Sequence, residues 1–155
     1  MTKKVPFFEY PRLWSDDRKN FLSIIDSVSS SGGFILQKAV SDFELELANY
    51  VGSNFSVGVG NATDAMEIFL EAIGLKKGDE IIISSHTMLA TASAIKFAGG
   101  TPVPVDIGED NLISSESVEN AITSNTVGIM PTQLNGRVCD MDAIIKIAKK
   151  NDLFI

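Results

Sequence analysis

The residues with the clearest chemical potential lie in one short turn, residues 58–64, which joins an apolar run to a helical pattern. The turn reads Gly-Val-Gly-Asn-Ala-Thr-Asp, so most of its side chains are small or polar. Small side chains let an anion approach the backbone, and the N–H groups of a first helical turn point toward that anion. Thr63 adds a hydroxyl donor. The pattern is therefore consistent with an anion site at the start of a helix.

A purely structural role is the alternative interpretation of the same turn. Asn61 is a good N-cap residue, and Asp64, three residues later, can complete a reciprocal capping pair. Asp64 also places negative charge where an anion would bind. A dinucleotide fingerprint is a weaker interpretation because the third glycine is missing and the turn follows two predicted helices, and the sequence contains no P-loop motif. Phosphate binding and simple capping both stay open on the residues alone.

The elements that must position this turn follow from the spacing of the apolar runs. These runs start roughly every 22 to 26 residues, and a helical pattern fills each gap. The alternation predicts an α/β fold, with a mainly parallel sheet flanked by helices. The predicted strands are residues 56–59, 80–83, 102–105, 127–130 and 153–155.

The segment before the first predicted strand is less regular. Residues 1–14 indicate an irregular arm, and Ser15 is the predicted start of a first helix, which the Ser/Gly run at 29–33 ends. A second helix is predicted from Ser41, where Ser41 and Glu44 have capping-box spacing, to Gly52. Residues 1–33 are therefore expected to form an N-terminal arm and helix, ahead of a domain that starts at residue 34.

The predicted parallel strands gather several polar residues at one edge of the sheet. Loops that follow parallel strands share an edge, and open α/β sheets bind their ligands there. His86 is either a substrate contact or a residue at a helix start, and Asp106 is expected to cap a turn. Glu109 and Asp110 fit a solvated loop better than metal or acid–base work, and Cys139 fits a small buried apolar residue. The loops are residues 60–63, 84–88, 106–110 and 131–137.

Composition narrows the class of protein. The chain has 155 residues, 45% of them hydrophobic, and a formal net charge of −7. An acidic chain without a basic stripe does not favour nucleic-acid binding. The single cysteine excludes an internal disulfide and any Cys-cluster metal site. No apolar run has the length of a signal or membrane-spanning segment, so we expect no membrane contact and a cytoplasmic location.

The order of the motifs resembles a known family. The string G-N-A-T-D-A-M-E-I-F-L-E-A-I-G-L-K-K-G-D-E-I-I-I-S-S-H-T-M-L-A-T-A-S-A-I, which starts at Gly60, is similar to sugar aminotransferases of the DegT/DnrJ/StrS group. The similarity continues through G-G-T-P-V-P-V-D-I at 99–107, P-T-Q-L-N-G-R at 131–137 and C-D-M-D-A-I at 139–144. It extends from about residue 32 to the end. These are fold-type I enzymes that depend on pyridoxal phosphate.

The resemblance implies roles for five residues. Asn61, Ala62 and Thr63 occupy the turn that holds the cofactor phosphate in the family. Met88 occupies the position of an aromatic residue that stacks on the pyridine ring, and a thioether can also pack on a ring. Gln133 falls where the family often has His, on a loop facing the cofactor. Ordinary helix packing for Met88 and a solvated loop position for Gln133 are the alternatives.

The resemblance also implies what lies outside this sequence. In the family, a carboxylate beside the pyridine nitrogen and then a Schiff-base lysine follow the strand that here ends at Ile155, so no catalytic residue is assigned within the chain. Residues 34–155 are expected to be the N-terminal part of the large cofactor-binding domain, truncated and inactive alone. The parent enzyme would transfer an amino group from a donor such as glutamate to a nucleotide-linked keto sugar, as a homodimer. A same-fold sugar dehydratase, a regulatory protein and a non-catalytic phosphate-binding or assembly module are the alternatives.

Overall fold

A computed structural model describes residues 5–155 of the chain. The chain forms two compact units, the first ending at Gly58 and the second comprising Val59–Ile155. The domain boundary between residues 33 and 34, expected from the sequence, stays a prediction. Within the described range, no helix combines the length and the apolar character needed to cross a membrane.

Helix α1 of the first unit covers Tyr10–Ser31. It starts before the predicted Ser15 because Pro11 occupies its first turn, where the missing N–H of a proline costs no helical hydrogen bond. The predicted irregular arm is therefore wrong for residues 10–14. Its residues 1–4 lie outside the described part of the chain.

Helix α2 covers Lys38–Val51 and begins before the predicted capping box. Ser41 lies inside the helix, where its hydroxyl donates to the Lys38 carbonyl oxygen at 3.0 Å. The Glu44 carboxylate accepts the Gly58 N–H at 2.7 Å. The predicted start at Ser41 is therefore wrong, since both capping side chains bond elsewhere.

Both helices of the first unit end as predicted, at glycines. Gly32 follows α1 with a φ of 73°, and Gly52 follows α2 with a φ of 74°. These left-handed positions suit glycine, which has no Cβ to clash with the backbone.

Residues 56–59 do not form the predicted first strand. A strand needs a ladder partner, and within residues 5–155 no segment pairs with these residues. The prediction of a strand ahead of the Asn61 turn is therefore wrong, although the helix that follows the turn is present.

The second unit contains a parallel three-stranded sheet. Its strands are β1 (Glu80–Ser84), β2 (Thr101–Val105) and β3 (Thr126–Met130), in the spatial order β2-β1-β3. Three of the five predicted strands are confirmed. The last one, at 153–155, is reduced to a single parallel bridge between Gly128 and Phe154.

Helices cover both faces of this sheet. α3 (Ala62–Ala72) and α4 (Leu89–Phe97) pack against each other, and their face of the sheet encloses Leu70, Ile81, Ile83 and Ile95. α5 (Ser115–Ala121) and α6 (Met141–Asn151) pack against the opposite face, with Ile82, Val118, Ile129 and Ile144. A 3₁₀ turn, Leu134–Gly136, lies between β3 and α6. The predicted α/β class with a parallel sheet and flanking helices is confirmed.

The run of isoleucines in β1 explains why it is the central strand. Ile81 and Ile83 face α3 and α4, while Ile82 faces α5 and α6, and all three are buried. A strand that is apolar on both faces suits a parallel sheet covered by helices on both sides. This packing fixes the positions of the loops that follow β1 and its two neighbours.

Candidate functional site

The loops at the carboxyl edge of the sheet are tied together by hydrogen bonds. His86 Nδ1, after β1, lies 3.3 Å from the carbonyl oxygen of Asn111, on the segment after β2. Thr87 Oγ1, also after β1, lies 2.8 Å from Thr132 Oγ1, after β3. The predicted pooling of these three loops is confirmed. Among the hydrogen bonds of residues 5–155, none joins the Asn61 turn to these loops.

The Asn61 turn starts α3, and Asn61 is its N-cap, as predicted. Asn61 Oδ1 accepts the N–H groups of Thr63 at 2.9 Å and Asp64 at 3.0 Å. Asn61 Nδ2 donates to Asp64 Oδ2 at 2.9 Å. Asn61 and Asp64 therefore pair through their side chains. Asn61 Oδ1 also occupies two of the N–H groups that could otherwise bind a ligand.

Two donors of the turn remain free for a ligand. Among the hydrogen bonds of the described residues, none uses the Ala62 N–H or the Thr63 hydroxyl. A backbone N–H and a hydroxyl at a helix start are the donors that a phosphate oxygen accepts. The turn therefore fits the phosphate group of pyridoxal phosphate by its donor chemistry.

The electrostatics of the turn limit how an anion can approach. The Asp64 carboxylate lies so close to Gly60 that a Cβ built on Gly60 would be 2.6 Å from Asp64 Oδ2. This carboxylate repels a phosphate, and Asn61 Nδ2 holds it in place. A phosphate must therefore approach from the side of Ala62 and Thr63.

Met88 lies at the start of α4, with its side chain 75% exposed. It belongs to neither apolar core, so ordinary core packing does not account for it. It lines a cavity of 370 Å³, together with Ser84, Thr87 and Pro104, where β1 meets α4 and β2. The side chain is thus accessible to a ring, and its cofactor contact stays a prediction.

Gln133 lies on the loop after β3, with its amide group directed at its own loop. Its Oε1 accepts the Cys139 N–H at 2.7 Å, and its Nε2 lies 3.3 Å from Met141 Sδ. A hydrogen bond from Gln133 to a cofactor therefore requires one of these contacts to be exchanged. The predicted cofactor role of Gln133 stays a prediction.

The other polar candidates have local structural partners. The Asp110 carboxylate accepts the Leu112 N–H at 3.0 Å, and Glu109 is exposed beside it. Asp106 accepts the Ser114 N–H through its backbone oxygen, at 3.1 Å. Cys139 is buried, as expected from the sequence. Among the described residues, no cluster of three or more His, Cys, Asp or Glu side chains is arranged to hold a metal ion.

Sequence reasoning missed three threonine hydroxyls at the carboxyl edge. Thr87 Oγ1 lies 2.9 Å from Thr91 Oγ1 and 2.8 Å from Thr132 Oγ1. The spacing of Thr87 and Thr91, four residues apart at a helix start, is a signal visible in the sequence. The contact with Thr132 depends on the register of β1 and β3.

A second cavity, of 420 Å³, lies between α5 and α6 and contains none of the predicted cofactor residues. Glu119 and Lys150 line it and form an ion pair of 2.7 Å. The hydrogen bond from Lys150 and its positive charge lower the pKa of Glu119 below its ordinary value. This cavity is therefore separate from the candidate cofactor site.

Two curated relatives and one solved structure resemble the chain over nearly its whole length. The chain is 36% identical over 155 residues to dTDP-3-amino-3,4,6-trideoxy-alpha-D-glucose transaminase of Streptomyces venezuelae, a match that covers 99% of this chain and 41% of that protein. It is 38% identical over 151 residues to dTDP-3-amino-3,6-dideoxy-alpha-D-galactopyranose transaminase of Aneurinibacillus thermoaerophilus, a match that covers 96% of this chain and 41% of that protein. The crystal structure of NtdA of Bacillus subtilis with bound cofactor PMP matches with a TM-score of 0.93 at 34% identity. This match covers 99% of this chain and 36% of that one.

These matches fix the fold and the family. The chain spans about 41% of the length of the curated relatives that it matches. Its parallel sheet and flanking helices match fold-type I aminotransferase chains. The DegT/DnrJ/EryC1/StrS aminotransferase family matches residues 15–155. The chain therefore belongs to the DegT/DnrJ/EryC1/StrS aminotransferase family.

Proposed function

We propose that this chain supplies the cofactor-phosphate side of a pyridoxal-phosphate-dependent aminotransferase that acts on a nucleotide-linked keto sugar. The donor is an amino acid such as glutamate. The family membership of residues 15–155 supports the reaction class, and the names of two relatives, both dTDP-sugar transaminases, support the substrate class. The proposal is supported most by the start of α3, where the Ala62 N–H and the Thr63 hydroxyl have no hydrogen-bond partner among residues 5–155.

In this proposal, five residues contact or position different parts of the cofactor. Asn61 orients the first turn of α3, while Ala62 and Thr63 donate to the phosphate. Met88 packs on the pyridine ring, and Gln133 offers an amide hydrogen bond after releasing Cys139 or Met141. When bound, the cofactor supplies an electron sink for the amino-group transfer.

The chain alone is not expected to turn over substrate. Transamination needs a lysine that bonds to the cofactor and a carboxylate that keeps its pyridine nitrogen protonated. The resemblance assigns the first role to none of the lysines in this chain and the second role to none of its carboxylates. We therefore expect cofactor binding without aminotransferase activity.

Titration with pyridoxamine phosphate tests the cofactor site. This probe carries the phosphate and the ring but does not react with surface lysines. We expect saturable binding, weakened about threefold to tenfold by Thr63→Val, because one charge-assisted hydrogen bond is lost. Thr101→Val is the matched control, since Thr101 lies exposed at the opposite end of β2. Equal affinity of Thr63→Val and the control would contradict the proposed phosphate role.

The reading frame beyond Ile155 tests the reaction class. A carboxylate within a few residues, followed later by a lysine, supports the transaminase. A histidine in place of that lysine indicates the dehydratase of the same fold. A chain that binds neither pyridoxamine phosphate nor a nucleotide sugar is instead an assembly module.

A homodimer and a cytoplasmic location complete the proposal. Large exposed apolar patches mark contact surfaces, and α3 and α4 expose Ile68, Phe69 and Phe97. Sedimentation velocity over a range of concentrations tests the dimer, and a monomer at the highest concentration contradicts it. Cell fractionation tests the location.

A further inference from the structure

Three threonine hydroxyls form a connected group at the carboxyl edge of the sheet. Thr87 Oγ1 is the middle member, 2.9 Å from Thr91 Oγ1 and 2.8 Å from Thr132 Oγ1. Thr91 is 7% exposed, and the other two are half-buried. A hydroxyl both donates and accepts, so Thr87 can satisfy both neighbours at once. The three hydroxyls therefore form a hydrogen-bonded network that is partly shielded from solvent.

Two of these threonines are direct chain neighbours of predicted cofactor residues. Thr87 directly precedes Met88, and Thr132 directly precedes Gln133. Both Met88 and Gln133 are predicted to contact the cofactor. In the described chain, the Thr87–Thr132 contact is the side-chain hydrogen bond that joins the loop after β1 to the loop after β3. This hydrogen bond thus links the two segments that carry Met88 and Gln133, just beyond the point where the β1–β3 ladder ends.

Beyond the β1–β3 ladder, the contacts around this pair are mostly local to each loop. Met88 starts α4 without a side-chain cap, so the Thr87–Thr91 contact anchors the helix start. The loop after β3 is braced internally, because the Thr132 carbonyl oxygen accepts from Leu134 N–H at 2.9 Å and from Cys139 Sγ at 3.3 Å. Each loop is therefore ordered by itself, and the hydroxyl pair couples them.

We propose that Thr87 and Thr132 are positioning residues for the cofactor ring. Their hydrogen bond holds together the two loop segments that carry Met88 and Gln133, so that both side chains reach the ring once Gln133 exchanges its contact with Cys139 or Met141. The phosphate is held separately by the α3 turn. The inference rests on the proposed function, since it assumes that Met88 and Gln133 face a pyridoxal-type cofactor.

Thr132→Val is the test variant, because it removes the hydroxyl with little change of shape and leaves Thr87 bonded to Thr91. The dissociation constants of pyridoxamine phosphate and of inorganic phosphate are measured for the chain, for Thr132→Val and for Thr132→Ser. Loss of one hydrogen bond should weaken the binding of pyridoxamine phosphate by about threefold to tenfold, while the affinity for inorganic phosphate stays unchanged. Thr132→Ser, which keeps the hydroxyl, should restore the original affinity. Thr101→Val serves again as the matched control.

The possible outcomes separate this inference from the function on which it rests. If the unmodified chain binds neither probe, the cofactor site and the positioning role both fail. If the chain binds pyridoxamine phosphate and Thr132→Val binds it equally well, the positioning role alone fails. Equal weakening of both probes indicates general damage and also overturns it. Thermal unfolding checks that each variant is folded, and Thr132→Ala replaces Thr132→Val if the latter is not.

Discussion

The two faces of the sheet in the second unit are covered to different degrees. On one face, α5 and α6 enclose a large core that includes Val118, Ile129 and Ile144. On the other face, α3 and α4 enclose a smaller core around Leu70 and Ile95. Two helices cover each face, but the core on the α3/α4 side has fewer buried residues, and we call this side the thinner side of the sheet.

The outer surfaces of these helices differ in the same direction. Phe97 of α4 is 66% exposed, and Phe69 of α3 is also exposed. On α6, by contrast, Ile145 is 37% exposed, and the neighbouring surface carries the Glu119–Lys150 ion pair. Exposed apolar surface indicates an interaction site, whereas a charged helix surface suits solvent. Four of the five predicted cofactor residues lie at the starts of α3 and α4, so most of the candidate site is on the thinner side of the sheet.

Core truncations on the two faces should give the largest contrast. Ile129→Ala is expected to lower the free energy of unfolding by about 3–5 kcal/mol, because the enclosed core around it cannot collapse. Leu70→Ala is expected to cost about 2–3 kcal/mol, because fewer buried residues surround it in the smaller core and the remaining side chains can close part of the cavity. Both side chains are fully buried, so they form a matched pair. Urea denaturation measures both, and equal losses would remove the energetic contrast between the faces.

Gly128 tests how tightly the thinner side of the sheet is packed beside β3. A Cβ on Gly128 would overlap the ring of Phe154, which also packs against Phe69 of α3. Gly128→Ala should therefore lower the free energy of unfolding by about 1–3 kcal/mol, as overpacking does.

The rescue variant for Gly128→Ala is Phe154→Leu. The double variant should lose less stability than the sum of the single variants, since the two side chains compete for one space. Additive losses in urea denaturation would show that Phe154 does not confine Gly128, and the thinner side of the sheet would then be looser than its geometry indicates.

The sequence was sufficient for elements whose stability is local or periodic. β1, β2 and β3 were predicted because their apolar runs are bounded by turns and separated by helical patterns. Residues 56–59 are a similar short run with apolar residues, but they have no ladder partner within the described chain, and pairing is not visible in a single segment. Ser41 and Glu44 had the spacing of a capping box, yet Glu44 bonds to Gly58, fourteen residues away.

The candidate site shows the same difference between local contacts, which the sequence predicts, and long-range contacts, which it does not. The capping role of Asn61 is local, and its two hydrogen bonds reach residues two and three positions ahead. The Thr87–Thr132 contact joins residues 45 positions apart and exists only because β1 and β3 are neighbours. Sequence patterns therefore predict the Asn61 cap but not the hydroxyl pair.

The starts of α3 and α4 on the thinner side should respond in opposite ways to substitution. Asn61→Ala removes a cap and should lower the free energy of unfolding by about 1 kcal/mol. Met88→Ser places a capping hydroxyl at an extended N-cap position without one, and should raise stability by about 0.5 kcal/mol.

Met88→Ala is the control for this pair, since it shortens the side chain without adding a cap. Urea denaturation compares the three variants, and pyridoxamine phosphate titration is run in parallel. A stabilised Met88→Ser chain with weaker cofactor binding supports the assignment of Met88 to a ligand. Equal stability of Met88→Ser and Met88→Ala would contradict the expected cap.

The Glu119–Lys150 pair on the solvent-facing side should give the smallest effect. The hydrogen bond from Lys150 and its charge lower the pKa of Glu119 from its ordinary value of 4.5. A lowered folded-state pKa adds stability above the unfolded-state pKa, and this stability is lost as the pH falls through the folded-state value. Both side chains are largely exposed, so water and salt screen the pair.

An NMR titration of the Glu119 carboxyl carbon measures this effect directly. Lys150→Gln should return the pKa of Glu119 toward 4.5, while Lys149→Gln, on the same exposed turn of α6, should leave it in place. The urea denaturation curve should be nearly unchanged in both variants, because surface pairs contribute little. A clear loss of stability in Lys150→Gln would mean that the charged side of the sheet depends on its ion pair. The two faces would then differ in kind of interaction and not only in the completeness of their cores.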